Sequence, residues 1–173
     1  MLIYLIGMPG AGKTTSGLRL AGELKYSFMD LDEEIEKKSG QTIFEIFEDK
    51  DEAGFRETEV ETLKAISETD KNCVIATGGG TPCFGENMAF MNEKGLTIYL
   101  KTSSELLAQR LWRTNLNERP LLIGKNKLEL LAYLELTLSV RKTCYEQAGI
   151  IFDTGLQQIA DLAAYIRKYQ QMV

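Results

Sequence analysis

The sequence predicts an α/β protein with a five-stranded parallel sheet flanked by helices in three layers. Short apolar runs rich in β-branched and aromatic residues alternate with amphipathic segments, such as KTTSGLRLAGELK at 13–25 and SSELLAQRLWR at 103–113. The apolar runs also lack strict alternation, which is typical of strands covered on both faces. The expected strands cover residues 2–6, 27–31, 73–77, 96–100 and 150–152.

Composition limits the class of protein. A chain of 173 residues, 44% hydrophobic and 26% charged, predicts one globular domain over residues 1–173. The net charge of −5 and the absence of any stripe of lysine and arginine argue against a nucleic-acid partner. The opening MLIYLI is too short for a membrane span and lacks the basic flank of a secretory signal. We therefore expect a cytoplasmic protein with no membrane partner.

The cysteines and the missing histidine restrict the chemistry. Three widely spaced cysteines, Cys73, Cys83 and Cys144, with no histidine in the chain, argue against a disulfide framework and against a Cys/His metal site. Without histidine, a general base near neutral pH must be a carboxylate or an activated lysine, tyrosine or cysteine. Carboxylates become the first candidates.

A glycine-rich loop follows the first predicted strand and opens a helix. Gly7, Gly12, Lys13 and Thr14 satisfy the pattern G-x-x-x-x-G-K-[ST] in the strand-to-helix context that it requires. In such a loop backbone N–H groups converge on phosphate oxygens, the lysine reaches the β and γ phosphates, and the threonine hydroxyl can ligate Mg²⁺. A plain glycine-rich turn with an exposed lysine is the alternative, and it is rare in this context. The loop predicts a nucleotide site.

Two carboxylates, Asp30 and Asp32, come at the end of the second predicted strand. They are expected on the edge of the sheet where the glycine-rich loop after the first strand also lies. Strand alternation would turn both toward the same face. One could hold Mg²⁺ directly or through water, and the other could accept a hydrogen bond from an acceptor hydroxyl. Alternatively, they cap and charge the helix that begins DEEIE.

Glycines and arginines on other segments are candidates for acceptor binding. Gly78, Gly79 and Gly80 end the third strand where a metal-side acid often stands, so their backbone either approaches a ligand closely or simply forms a tight turn. Arg56 could clamp an anion or merely pair with Glu52 on a helix surface. Arg141 lies on an apolar helical stripe with Leu131, Leu134, Leu138 and Tyr145, so it either clamps an anion or snorkels to solvent.

The polar segment NLNERPLLIGKN at 115–126 has no helical period and is expected to form part of a lid over about residues 112–126. Arg119 in this segment could close over a γ-phosphate and stabilise the charge that develops during transfer. An ordinary loop arginine is the alternative.

Together these segments resemble the shikimate kinase family over almost the whole chain. The resemblance rests on GMPGAGKTT, FMDLD, GFRETE, TGGG, RPLL and RKTCY, which occur in the family's order and at comparable spacing. It implies a P-loop fold like that of the nucleoside monophosphate kinases. It also implies an ATP-dependent kinase that phosphorylates the 3-hydroxyl of shikimate, in the pathway to chorismate and the aromatic amino acids.

The resemblance also assigns site residues. Catalysis is assigned to Lys13, Asp32 and Arg119. ATP is assigned to Gly10, Ala11, Gly12, Lys13, Thr14, Thr15, Arg110, Arg119 and Gln157, with Arg113 as a rival of Arg110 for stacking on adenine. Shikimate is assigned to Asp32, Arg56, Gly78, Gly79, Gly80 and Arg141, with Phe47 and Phe55 beside its ring and an acceptor-binding segment over about residues 32–60. Mg²⁺ is assigned to Thr14, with Asp30 assisting through water.

Two departures and three alternatives accompany the resemblance. Thr143 and Cys144 replace the Pro-Leu that often separates the family's arginine and tyrosine, and DTGLQQ at 153–158 lacks a proline that some relatives place near adenine. The alternatives are another small-molecule or nucleotide kinase, a regulatory nucleotide-binding module, and a GTPase switch suggested by the near matches at 51–54 and 126–129. The expected oligomeric state is a monomer.

Overall fold

Five strands form one parallel sheet in the computed structural model, which describes residues 1–69, 71–114 and 120–170. The strands are β1 (Leu2–Ile6), β2 (Ser27–Asp30), β3 (Cys73–Ala76), β4 (Gly95–Lys101) and β5 (Ile150–Asp153). The helices of the described residues are α1 (Lys13–Leu24), α2 (Leu31–Ser39), α3 (Ile43–Ser67), α4 (Asn87–Lys94), α5 (Ser104–Trp112), α6 (Lys127–Tyr145) and α7 (Ile159–Gln170). Short 3₁₀ turns cover Thr81–Cys83 and Pro120–Leu122.

The sheet order is β2-β3-β1-β4-β5, which places β1 at the centre. Every residue of β1 is buried, and its register runs from Leu2 opposite Cys73 on one side and Gly95 on the other. The predicted parallel sheet of five strands is therefore confirmed. The edge strands β2 and β5 are only partly buried, so the expectation of full cover on both faces holds for the inner strands alone.

The second strand ends one residue earlier than predicted. Leu31 opens α2, because Asp30 caps this helix by accepting a hydrogen bond from the backbone N–H of Asp32 at 3.1 Å. Asp32 consequently lies in the first turn of a helix. The argument that strand alternation turns Asp30 and Asp32 to one face was wrong, and their proximity comes from the helix cap.

The positions of Asn126 and Asp51 bear on the GTPase alternative. Asn126 and Glu129 form a capping box at the start of α6, with the Asn126 side chain accepting from the backbone N–H groups of Leu128 and Glu129 at 3.0 Å each. Asp51 lies inside α3, where its left-handed backbone (φ 61°) interrupts the helix and its side chain accepts from the N–H of Gly54. Neither near match follows a strand, as a guanine-nucleotide switch would require.

The carboxyl ends of the parallel strands meet on one edge of the sheet. Three of the predicted site segments follow strands on this edge. The phosphate loop at 7–12 follows β1, the Asp30 cap ends β2, and the glycines at 78–80 follow β3. None of the described helices is long and apolar enough to cross a bilayer. The fold thus brings the predicted site segments to one side of the molecule.

The two glycines of α1 offer a matched test of packing. A Cβ at Gly17 would lie 2.4 Å from the Phe28 ring, whereas a Cβ at Gly22 would have no heavy atom within 4 Å. We expect Gly17→Ala to lower the free energy of unfolding by about 1–2 kcal/mol, because overpacking outweighs the gain in helix propensity. Gly22→Ala should raise it by about 0.5–1 kcal/mol. Urea unfolding followed by circular dichroism measures both, and equal stability of the two variants would contradict this packing.

Candidate active site

The phosphate loop is built from backbone conformations that favour glycine. Gly7, Gly10 and Gly12 have φ values of 138°, 82° and 90°, and Gly12 is the N-cap of α1. Lys13 Nζ donates to the carbonyl oxygens of Gly7 at 2.9 Å and Met8 at 3.1 Å, so the lysine folds over its own loop. A helix N-terminus, backbone N–H groups and a lysine together form an anion site suited to phosphates.

Thr14 and Asp30 connect the phosphate loop to the end of β2. The Thr14 hydroxyl donates to Asp30 Oδ2 at 2.7 Å, while Asp30 Oδ1 accepts the capping bond of α2. Asp30 therefore caps a helix with one carboxylate oxygen and contacts the phosphate loop with the other, so the capping interpretation is confirmed. Asp32 stands further into the site, because its Oδ1 would be 3.4 Å from a Cβ at Gly78.

A cleft of about 800 Å³ lies on one side of the phosphate loop. Its lining includes the predicted ATP residues Ala11, Gly12, Thr15, Arg110 and Gln157. Arg110 Nη1 donates to the carbonyl oxygens of Gly10 at 3.4 Å and Ala11 at 3.2 Å. This side chain thus contacts the loop from the side where a nucleoside would extend.

Arg113 does not line the cleft that Arg110 lines. It lines a separate cleft between α5 and α6 together with Trp112 and Lys127, and this cleft contains no residue of the phosphate loop. Of the two arginines that the sequence left as alternatives, the structure brings only Arg110 to the nucleotide side.

A second cleft, of about 610 Å³, lies on the other side of the loop. The six predicted acceptor residues all line it: Asp32, Arg56, Gly78, Gly79, Gly80 and Arg141. Phe47 and Phe55 add an apolar wall, with ring centroids 4.6 Å apart. Leu121 and Leu122, from the described part of the predicted lid, also line the cleft. Arg119 lies outside the described residues.

Arg56 is almost entirely buried, with 5% of its surface exposed. Its Nη1 donates to Glu59 Oε2 at 2.8 Å, and its Nη2 donates to Glu52 Oε1 at 3.2 Å. Burial opposes the charged form of Arg56, but the two carboxylates outweigh it and raise the pKa of the guanidinium. The pair with Glu52 that the sequence offered as an alternative does exist, but it uses only Nη2 of Arg56. The Arg56 side chain also lines the cleft.

Glu59 is the functional residue that sequence reasoning missed. Its side chain is completely buried, and its two oxygens accept from Arg56 and from the hydroxyl of Thr81. The available signal was its position on the apolar stripe of α3, four residues from both Phe55 and Leu63. The same argument, a charge on an apolar stripe, was applied only to Arg141.

Tyr145, the last residue of α6, contacts the loop at 78–80, here called the glycine loop. Its hydroxyl donates to the carbonyl oxygen of Gly79 at 2.5 Å, and its ring is fully buried. Burial raises the pKa of Tyr145 well above its usual range, although Arg141 nearby opposes the shift. Within the described residues Arg141 has no carboxylate within ion-pair distance, and it remains half-buried in the cleft. Its charge is thus available to an anionic ligand.

The three cysteines of the chain are free thiols. Although the Cys83 residue as a whole is exposed, desolvation of its thiol and the neighbouring Cys144 raise its pKa to about 12, so this thiol is neutral at physiological pH. Neither Cys83 nor Tyr145 can then serve as a base near neutral pH. The carboxylate of Asp32 remains the candidate at the junction of the phosphate loop and the second cleft.

Comparison with known proteins identifies the family of the chain. The family model for shikimate kinase matches residues 9–170. A shikimate kinase of Bacteroides thetaiotaomicron is 40% identical over 172 residues, which cover 99% of this chain and 97% of the relative. The crystal structure of shikimate kinase from that species superimposes with a TM-score of 0.89 at 38% identity, covering 99% of this chain and 98% of the other.

Two further structures extend the comparison. Shikimate kinase from Acinetobacter baumannii in complex with shikimate has a TM-score of 0.84 at 40% identity, covering 99% of this chain and 93% of the other. A deoxyadenosine kinase from M. mycoides with bound dATP, at 17% identity and a TM-score of 0.57, shares the fold and covers 99% of this chain and all of the other.

The parallel sheet and the phosphate loop define an ATP-dependent phosphotransferase with a P-loop kinase fold. Within that class, the chain belongs to the shikimate kinase family. The family predicted from the sequence motifs is thereby confirmed.

Arg110 and Arg113 are the two arginines that the sequence offered for stacking on adenine. We expect Arg110→Ala to weaken ATP binding by about tenfold, because it removes two contacts to the phosphate loop and a positive charge from the cleft beside it. Arg113→Ala, the matched control, should change it by less than about twofold. Isothermal titration with ATP in the absence of acceptor measures both, and a larger loss for Arg113→Ala would reverse the assignment.

Proposed function

We propose that this chain transfers the γ-phosphate of ATP to the 3-hydroxyl of shikimate, giving shikimate 3-phosphate and ADP. The observation that carries the proposal is the second cleft, which is lined by two arginines, the candidate base Asp32 and the glycine loop. Shikimate has one carboxylate, which suits Arg56 and Arg141, and three hydroxyls, which suit Asp32 and backbone groups. The shikimate complex of the A. baumannii relative also supports this substrate.

Mg²⁺ fits the residues at the phosphate loop. Thr14 and Asp30 supply hard oxygen donors 2.7 Å apart, and among the described residues no group of three or more acidic, cysteine or histidine side chains could hold a metal. Such a site suits an ion that keeps several waters and takes phosphate oxygens as ligands. Thr14 would be a direct ligand, and Asp30 would act through water. At this position a bound Mg²⁺ would supply charge neutralisation at the phosphates.

The reaction is a direct in-line transfer. The 3-hydroxyl oxygen of shikimate bonds to the γ-phosphorus as the bond to the β–γ bridging oxygen breaks, and ADP leaves with that electron pair. Asp32 orients the hydroxyl and takes its proton, while Lys13 stabilises the charge on the phosphates. The two arginines hold the acceptor carboxylate away from the reacting atoms. Arg119 is assigned the γ-phosphate on sequence alone.

Some sequence expectations remain predictions. They are the single domain over residues 1–173, the lid over about 112–126, the monomeric state and the cytoplasmic location. The roles assigned to individual site residues are proposals of the same kind.

The acceptor is tested by measuring ADP release in a coupled assay with ATP and Mg²⁺. The acceptors are shikimate, gluconate, a set of nucleoside monophosphates and water alone. We expect turnover that depends strictly on shikimate, because the paired arginines select a carboxylate and Asp32 selects a nearby hydroxyl. Turnover with another acceptor would reassign the second cleft. ATP binding with no turnover on any acceptor would instead favour a regulatory module.

Asp32→Asn tests the base. The carboxamide preserves the shape and the backbone bond to Asp30 but cannot take a proton, so we expect kcat to fall by about 10²–10⁴-fold. ATP affinity should change little. Glu33→Gln is the control, since it removes one charge from the next position of the same helical turn at the cleft edge. Steady-state kinetics would contradict the role of Asp32 if the two variants turned over equally fast.

A further inference from the structure

Thr81 is a buried threonine at the end of the glycine loop. It has no exposed surface, and its hydroxyl donates to Glu59 Oε1, another fully buried group. This oxygen also packs on the loop itself, since a Cβ at Gly78 would lie 2.6 Å from Glu59 Oε1 and 2.8 Å from Thr81 Oγ1. The first glycine is therefore pressed against the contact between these two side chains.

The second oxygen of Glu59 holds Arg56. The 2.8 Å bond from Arg56 Nη1 uses Oε2, so each carboxylate oxygen serves a different donor. At the other end of the loop, a Cβ at Gly80 would lie 2.5 Å from Arg56 Nη2. The guanidinium thus lies between the Glu59 carboxylate, which Thr81 also holds, and the backbone of Gly80, which leaves no space for a side chain there.

We propose that Thr81 is a positioning residue of the acceptor site, which acts through Glu59 to hold the Arg56 guanidinium at the cleft. The proposal rests on the proposed function, in which Arg56 binds the acceptor carboxylate. Thr81 does not line the cleft, so it would affect the acceptor only through Glu59 and Arg56.

A second anchor keeps the turn in place when the hydroxyl is removed. Asn87 Nδ2 donates to the carbonyl oxygen of Thr81 at 2.9 Å, and the 3₁₀ turn is closed by the bond from the N–H of Cys83 to the carbonyl of Gly80 at 3.0 Å. Loss of the hydroxyl therefore leaves the backbone held and leaves Glu59 Oε1 without that donor. A buried carboxylate oxygen that loses a donor is free to rotate, and it no longer fixes Arg56.

Thr81→Val removes the hydroxyl and keeps the shape of the side chain. We expect the KM for shikimate to rise about tenfold, while kcat and the KM for ATP stay within about twofold. The effect falls on KM because Arg56 acts far from the transferred phosphate and binds the ground state and the transition state alike. A simple loss of folded protein would lower the apparent kcat and leave both KM values unchanged.

Thr62→Val is the matched control. Thr62 lies on α3 three residues after Glu59, is 2% exposed, and its hydroxyl has no hydrogen-bond partner among the described residues. The same chemical change there should leave both KM values and kcat within about twofold of the wild type. An equal rise in the KM for shikimate in both variants would overturn the proposal.

A second pair of variants covers the case in which Thr81→Val does not fold. Thr81→Ser retains the hydroxyl and Thr81→Ala does not, and both lose the methyl group. We expect a KM for shikimate near the wild-type value in the serine variant and about tenfold higher in the alanine variant. Equal values in this pair would overturn the proposal.

The wild-type protein separates this proposal from the proposed function. Its shikimate dependence is measured first, and a wild type that does not use shikimate would overturn both. A wild type that does use shikimate, with a valine variant of unchanged KM, would overturn only the positioning role of Thr81.

Discussion

A buried carboxylate, Glu59, organises the acceptor side of this molecule. A charge with no access to water must be paired, and Glu59 meets this requirement with one cation from its own helix and one hydroxyl from the loop after β3. Removing one partner of such a buried pair typically costs about 3–5 kcal/mol. The positions of Arg56, the glycine loop and the cleft wall all depend on this constraint.

The phosphate loop divides the site into two clefts with different chemistry. On one side, Arg110 contacts the carbonyl groups of the loop next to a groove that reaches Gln157. On the other side, arginines and glycines surround a space with an aromatic wall. Met8 and Pro9 of the phosphate loop line the second cleft, whereas Ala11 and Gly12 line the first. The loop therefore lies between the two spaces, which is where a phosphoryl group would pass from one ligand to the other.

Much of this could be predicted because the signals are local or periodic. The five strands follow from apolar runs. Because the strands are parallel, the segments that follow them lie on the same edge of the sheet. The error at the end of β2 came from competition between elements: Leu31 and Asp32 could extend the strand or open a helix, and the bond from the N–H of Asp32 to Asp30 favours the helix. Glu59 was missed because a glutamate in a charged helix, as in RETEVE, resembles a surface residue until the neighbouring loop is placed over it.

The sequence by itself determined the phosphate loop, because residues 7–12 are contiguous and glycine spacing dictates the backbone conformation. It also determined the family, because six motifs recur in order. Only the tertiary structure placed Arg110, and not Arg113, in the cleft beside the phosphate loop, and it alone joined Thr81 to Glu59. These choices depend on contacts between residues 22 to 100 positions apart, and a pattern read along one chain contains no information about which distant side chains become neighbours.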